Sequence, residues 1–221
     1  MMLRRSVLSS VLGSLLLAGV AAAGEFEGII VLKETSGGET VQQQWWLKGH
    51  ALRFEEVGPD VGKGAMIFDA KKQALYSLHH DEKIYLEIST ATTSQPQPFD
   101  DIAITKTGQH EKVAGYLCEV YRMKDRSDGS TGEFCMAKGI GSAALFGMTS
   151  AQAGGASLWP GWMRDLFKDG GFPIKGVDRD GRGREEARWE AVKIESQPLA
   201  DRLFVPPSDY QKQEMAVIKP E

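Results

Sequence analysis

Val41–Val57 reads V-Q-Q-Q-W-W-L-K-G-H-A-L-R-F-E-E-V. Two short runs rich in Val, Trp, Leu and Phe meet at Gly49-His50, and the second breaks at Gly58-Pro59-Asp60. Leu52 and Phe54 alternate with Arg53 and Glu55, which puts apolar groups on one face and charges on the other. Strands buried on one side make such alternations, and turn residues between them predict an antiparallel pair.

The same texture extends in both directions. Phe26–Lys33 ends at Ser36-Gly37-Gly38, and Ala65–Asp69, Ala74–Leu78 and Ile84–Ile88 follow with polar tips between them. After a polar loop at Thr90–Pro98, Ala114–Met123 and Gly132–Lys138 form one hairpin. Phe172–Arg179 and Arg184–Ile194 form another across Asp180-Gly181, a pair that suits a type I′ turn. The expectation is a mainly β fold of about ten strands in an antiparallel meander. One stretch departs from it. In Leu158–Phe167, Leu158, Trp162 and Leu166 repeat every four residues, as do Trp159, Met163 and Phe167. These two columns predict a short, Trp-rich helix with a broad apolar stripe, capped by Ser157.

The chain has 221 residues, 42% of them hydrophobic, with 26 Lys+Arg against 30 Asp+Glu. That suits one globular domain, or at most two small ones, and a single β-rich domain is expected. A net charge of −4 argues against nucleic acid, whose binders need a basic face. Met1–Arg5 is a basic head, Ser6–Val20 a weakly polar to apolar core, and Ala21-Ala22-Ala23 a small-residue exit. Together they predict a cleavable export signal over residues 1–23, cut between Ala23 and Gly24. The apolar core is shorter than the ~20 residues of a span, so no transmembrane segment is expected in the mature chain of residues 24–221. The expected location is periplasmic.

Cys118 and Cys135 are the only cysteines, and an even count in an oxidising compartment favours a disulfide. A hairpin loop of Arg126–Gly129 sets Cys135 opposite Val120 and leaves the cysteines diagonal, roughly 7–8 Å apart. A loop of Asp125–Asp128, or a bulge, sets them directly opposite. His79-His80 stands in a polar tip and reads as a solvated turn, not a metal site. Asp178-Arg179-Asp180-Gly181 lacks the distal acid of a calcium loop. Ala137–Gly147 lacks the Gly-Lys-Ser/Thr ending of a phosphate cradle, and no Gly-x-Ser-x-Gly elbow occurs. No cofactor, metal or enzymatic activity is expected.

The order of motifs resembles a family of exported bacterial proteins. Those motifs are F-E-G-I-I-V (Phe26–Val31), W-W-L-K-G (Trp45–Gly49), L-R-F-E (Leu52–Glu55), M-I-F-D (Met66–Asp69) and K-I-Y-L-E-I (Lys83–Ile88). G-Y-L-C-E-V-Y (Gly115–Tyr121), F-C-M-A-K-G-I-G (Phe134–Gly141), G-G-F-P-I-K (Gly170–Lys175) and L-F-V-P-P-S-D-Y (Leu203–Tyr210) complete the series. The chain resembles the domain-of-unknown-function family numbered 4412 over about residues 26–210, and that family resembles LolA-like and LppX-like periplasmic lipoprotein carriers. The resemblance implies a curved antiparallel sheet, a half-barrel, with helix on its concave side and room for acyl chains between. It raises a lipid or other hydrophobic ligand as the expected partner. Leu158, Trp159, Trp162, Met163, Leu166 and Phe167 would form the lid, and Trp45, Leu52 and Phe54 the sheet-side lining. The alternative is an envelope protein-interaction or sensor module that presents its sheet face to another protein.

Overall fold

The computed structural model describes residues 25–58, 63–89, 101–141, 166–167 and 170–214. The expected export signal and residues 158–165 of the expected helix lie outside the described residues.

The first six strands follow one another closely: β1 (Glu27–Ser36), β2 (Glu39–Lys48), β3 (Ala51–Val57), β4 (Gly64–Asp69), β5 (Ala74–His79) and β6 (Ile84–Ser89). A second series follows: β7 (Ile102–Val113), β8 (Tyr116–Asp125), β9 (Thr131–Ala137), β10 (Phe172–Arg179) and β11 (Glu185–Ser196). A 3₁₀ turn (Asp201–Phe204) and a short β12 (Gln211–Gln213) end the described chain. All twelve strands share one sheet in the order β12-β6-β5-β4-β3-β2-β1-β11-β10-β9-β8-β7. The two series meet where β1 pairs antiparallel with β11, and the pairing of β12 with β6 is parallel. The β1–β2 turn shows why the chain doubles back so tightly. Gly37 and Gly38 take φ of 59° and 86°, the left-handed pair that a two-residue hairpin of native twist demands.

The sheet curls at its β7 end. Four strand spacings separate β7 from β11, about 19 Å if flat, yet Cα atoms of the two strands come within 8 Å. Four register shifts accompany the curl: Val31/Leu32 and Asp178/Arg179 against β11, Pro173/Lys175 against β9 and Lys106/His110 against β8. Bulges of this kind bend a strand and add twist.

Three apolar clusters hold the fold. The largest joins Ile30, Leu32, Leu47, Leu52 and Phe68 to Cys118, Val120, Phe172 and Ile174. A second lies under the C-terminal segment, where Leu199 and Phe204 pack on Ala51, Ala65, Ile67, Ala74 and Leu78. The alanines keep this face shallow enough for a strap to lie on it. A third small cluster sets Leu166 against Tyr121 and Met136.

The β class and the antiparallel meander are as the residues predict, and several particulars differ. The Trp-rich helix is not supported by the described residues: of its stripe only Leu166 and Phe167 are described, and both are helical. Leu166 meets Tyr121 and Met136, which alternate with Val120 and Cys135 along β8 and β9, so it packs on the face opposite the disulfide. The curl is concave on the disulfide's side, so Leu166 is not on the concave side there, whereas Phe167 also packs against the cluster that contains the disulfide. Asp180-Gly181 is no two-residue turn. Asp180 accepts hydrogen bonds from the backbone N–H of Arg182 and Arg184, the loop runs to Arg184, and Gly183 takes the left-handed conformation. β7 is a strand that the residues did not announce, because it is the polar outer edge of the sheet.

Candidate functional site

Three surfaces could do work, and each begins with the alternation of a strand. In β2 and β3, Trp45 stands opposite Phe54, and Leu47 opposite Leu52. These four share one face. The rings of Trp45 and Phe54 stack at 5.0 Å and 21°, and Trp45 meets Phe172 edge-on at 5.7 Å. Trp45 and Phe54 are half-buried, whereas Leu52 is fully buried. The structure therefore brings the expected sheet-side residues together, with Leu52 as core beneath an aromatic surface. Leu158, Trp159, Trp162 and Met163 lie outside the described residues. Phe167 packs against the main core and against the Leu166 cluster.

The opposite face of the same strands carries Trp46 and Arg53, and here the C-terminal strap lies. Arg53 sits over the Trp46 ring at 5.7 Å, pairs with Glu55 and donates to the Leu203 carbonyl at 3.2 Å. The Lys48 ammonium donates to the Leu199 carbonyl at 2.6 Å and pairs with Asp201 at 2.7 Å and Glu27 at 3.2 Å. Glu27 in turn accepts from the Leu199 N–H at 2.6 Å. That backbone bond holds the Glu27 carboxyl below its ordinary range, and the Lys48 hydrogen bond lowers Asp201 likewise. His79 is exposed and His80 stands in the turn as expected, but His80 is not fully solvated. It is half-buried, and its Nδ1 lies 2.7 Å from the Tyr210 hydroxyl. The strap went unread in the sequence because Leu199 and Leu203 make a single four-residue spacing that Pro206-Pro207 stops from continuing; the apolar cluster at Leu203-Phe204 was the available signal.

The third surface is a groove of about 490 Å³ inside the curl, reaching from β1 across β11, β10 and β9 to β7. The register builds its floor in rows. Lys33 stands opposite Glu190, Glu190 opposite Lys175, and Lys175 opposite Cys135. Thr35, Arg188, Val177 and Glu133 form the next row. Glu111, opposite Cys118 on β7, closes over this side to receive Lys175 at 2.6 Å. That pair shows the concave side to be the one bearing Cys118 and Cys135. The Glu111 hydrogen bond raises the Lys175 pKa above its ordinary value. Among the described residues no three His, Cys, Asp or Glu side chains converge as metal ligands would.

Cys118 and Cys135 form a disulfide. The loop that the backbone chooses pairs Asp125 with Ser130 and sets Val120 opposite Cys135, the diagonal alternative. The two Cα atoms are nevertheless 5.3 Å apart, closer than the flat diagonal of roughly 7–8 Å. Right-handed twist shortens one diagonal of a strand pair, and the bridge uses it.

A twelve-stranded open sheet, antiparallel except at its β12 edge, curled at one end, stapled by a disulfide and strapped on one face, defines a β-sheet protein of the curved, open kind. The chain belongs to the family described as Domain of unknown function (DUF4412), whose model matches residues 26–210. No curated protein matches the sequence. Among solved structures, an uncharacterized conserved protein from Thermus thermophilus is similar at 11% identity and a TM-score of 0.55, over 87% of this chain and 93% of that one. This shows a shared fold. The MucA/MucB complex of Pseudomonas aeruginosa matches at 13% identity and a TM-score of 0.49, over 86% of this chain and 59% of that one. A putative outer membrane lipoprotein-sorting protein domain from Vibrio parahaemolyticus matches at 8% identity and 0.36, over 82% and 90%. Likeness at those two scores says nothing of function. The chain spans about three fifths of the MucB chain it matches.

Proposed function

We propose that this protein is a non-enzymatic binding protein of the bacterial envelope, holding a lipid or other hydrophobic molecule against the Trp45–Phe54 face. The observation that carries the reading is the stacked pair itself. Two large rings stay half-buried above a fully buried Leu52, on the face that the strap does not cover. Such a surface lowers its free energy by covering apolar groups, at ~0.8 kcal/mol per CH₂ removed from water. No polar chemistry is needed. The apolar stripe of Leu158, Trp159, Trp162, Met163 and Phe167 belongs to the proposal as the cover on the ligand's far side, with Leu166 as its anchor on Tyr121 and Met136. The disulfide and the basic-then-apolar leader support an exported, oxidising setting.

The test is lipid extraction and native mass spectrometry of purified protein, with titration of a fluorescent fatty acid. Wild type is expected to carry or bind the probe, and Trp45→Ala with Phe54→Ala to weaken it about tenfold or more. Absence of both co-purified lipid and probe binding overturns the reading.

A further inference from the structure

The groove inside the curl has features that the aromatic face does not explain. Val192 lines it and is 52% exposed, although it is the extra residue of the β1–β11 bulge. Bulges re-aim side chains beside binding sites, and this one holds an exposed apolar group in a cleft of mixed apolar and charged lining. Lys33 and Glu190 face each other in register, yet neither makes an ion pair among the described residues. Lys175 and Glu133 are paired with Glu111 and Arg122 at 2.6 and 2.9 Å. The lining thus offers three valines (Val120, Val177, Val192) and the rings of Phe134 and Trp189 among charges of both signs, with Lys33 and Glu190 outside any ion pair among the described residues.

An alkyl chain fits such a floor poorly, because its methylenes would strip water from Lys33 and Glu190 without replacing it. An extended polypeptide fits well. Its side chains repeat on one face every ~6.8 Å, the spacing of alternate residues in the strands beneath, and its own charges can meet both signs. On β1, Lys33 and Thr35 alternate with Ile30 and Leu32, so at β1 the groove lies on the face opposite Trp45. We propose that the β7–β11 groove docks an extended peptide segment of another protein, seating one apolar side chain on Val192 between flanking residues of opposite charge.

The test is selection from a library of random ten-residue peptides displayed on phage, against the full mature chain, with Kd measured on synthetic copies of the winners. Wild type is expected to select an apolar residue flanked by acidic and basic ones. Val192→Glu, on an exposed site that leaves thermal unfolding unchanged, should weaken those peptides about tenfold or more. Lys33→Glu with Glu190→Lys should reverse the preferred order of the flanking charges, and Trp45→Ala should change neither. No enrichment over an unrelated protein overturns the proposal. So does selection that Val192→Glu leaves intact, or peptide binding that the fluorescent fatty acid displaces.

Discussion

Lys175 on β10 donates to Glu111 on β7 at 2.6 Å, across the two strands that separate them in the sheet. The bond spans the mouth of the curl, so it reports closure more than it supplies stability. Both side chains are about two-fifths exposed, and pairs so placed contribute no more than about 1 kcal/mol. Lys175→Met is therefore expected to lower the melting temperature by only a few degrees, within that limit. Because the folded pKa of Lys175 is raised, its contribution is complete below the ordinary lysine value of about 10.4 and is lost as pH rises through the folded one. Melting temperature against pH should show the wild-type advantage over Lys175→Met vanish only in strong alkali. An advantage that disappears near neutrality would contradict the assignment.

The disulfide gives a second measurable consequence. Its loop closes over a sequence separation of 17, for which chain entropy predicts a contribution of about 3 kcal/mol. Both cysteines are almost fully buried beside Val120 and Ala137, so reduction needs the hairpin to open. Intact protein should gain about two mass units under denaturing reduction, and Cys118→Ala with Cys135→Ala should lose roughly 2–4 kcal/mol in urea unfolding. An unchanged mass rules the bridge out.

The strap should let go before the main core does. Its anchors belong to a separate cluster, and its polar pins are carboxylates whose pKa values are depressed: Glu27 by the Leu199 N–H and Asp201 by Lys48. Depressed carboxylates stabilise fully above their ordinary values and lose that contribution as pH falls through the folded ones. Hydrogen exchange should therefore show the amides of Leu199–Phe204 losing protection below about pH 4, while the strands around the disulfide keep theirs. Phe204→Ala should produce the same local loss at neutral pH. Uniform loss across the sheet in either experiment would mean that strap and core are one cooperative unit.

How much of this was legible follows from how far apart the cooperating residues are in sequence. The Trp45–Phe54 pair could be read because alternation within two neighbouring runs places both rings on one face. β7 could not, since an edge strand with Thr105, Lys106, Gln109 and Glu111 lacks the apolar period that marks burial. The strap and the groove depend on pairings of residues more than a hundred positions apart, such as Arg53 with Leu203 and Lys33 with Glu190. No local pattern encodes those. The diagonal disulfide depended on twist, a property of the assembled hairpin.

Gly176 and Trp189 supply the sharpest packing test. They stand opposite each other on β10 and β11, and a Cβ built on Gly176 would collide with the Trp189 indole, which lies across it. The indole N–H donates to the Pro173 carbonyl at 3.2 Å, which fixes the ring over the strand beside the bulge. Gly176→Ala must push the ring out of this position, and overpacking of that kind costs typically 1–3 kcal/mol. Trp189→Leu empties the space over Gly176 at a cost of its own. If the collision is the cause, adding Gly176→Ala to Trp189→Leu should cost little further, because the methyl then fills a void. A double-mutant cycle from urea unfolding measures the difference, and additive losses would place the effect of Gly176 in the backbone instead of under the ring.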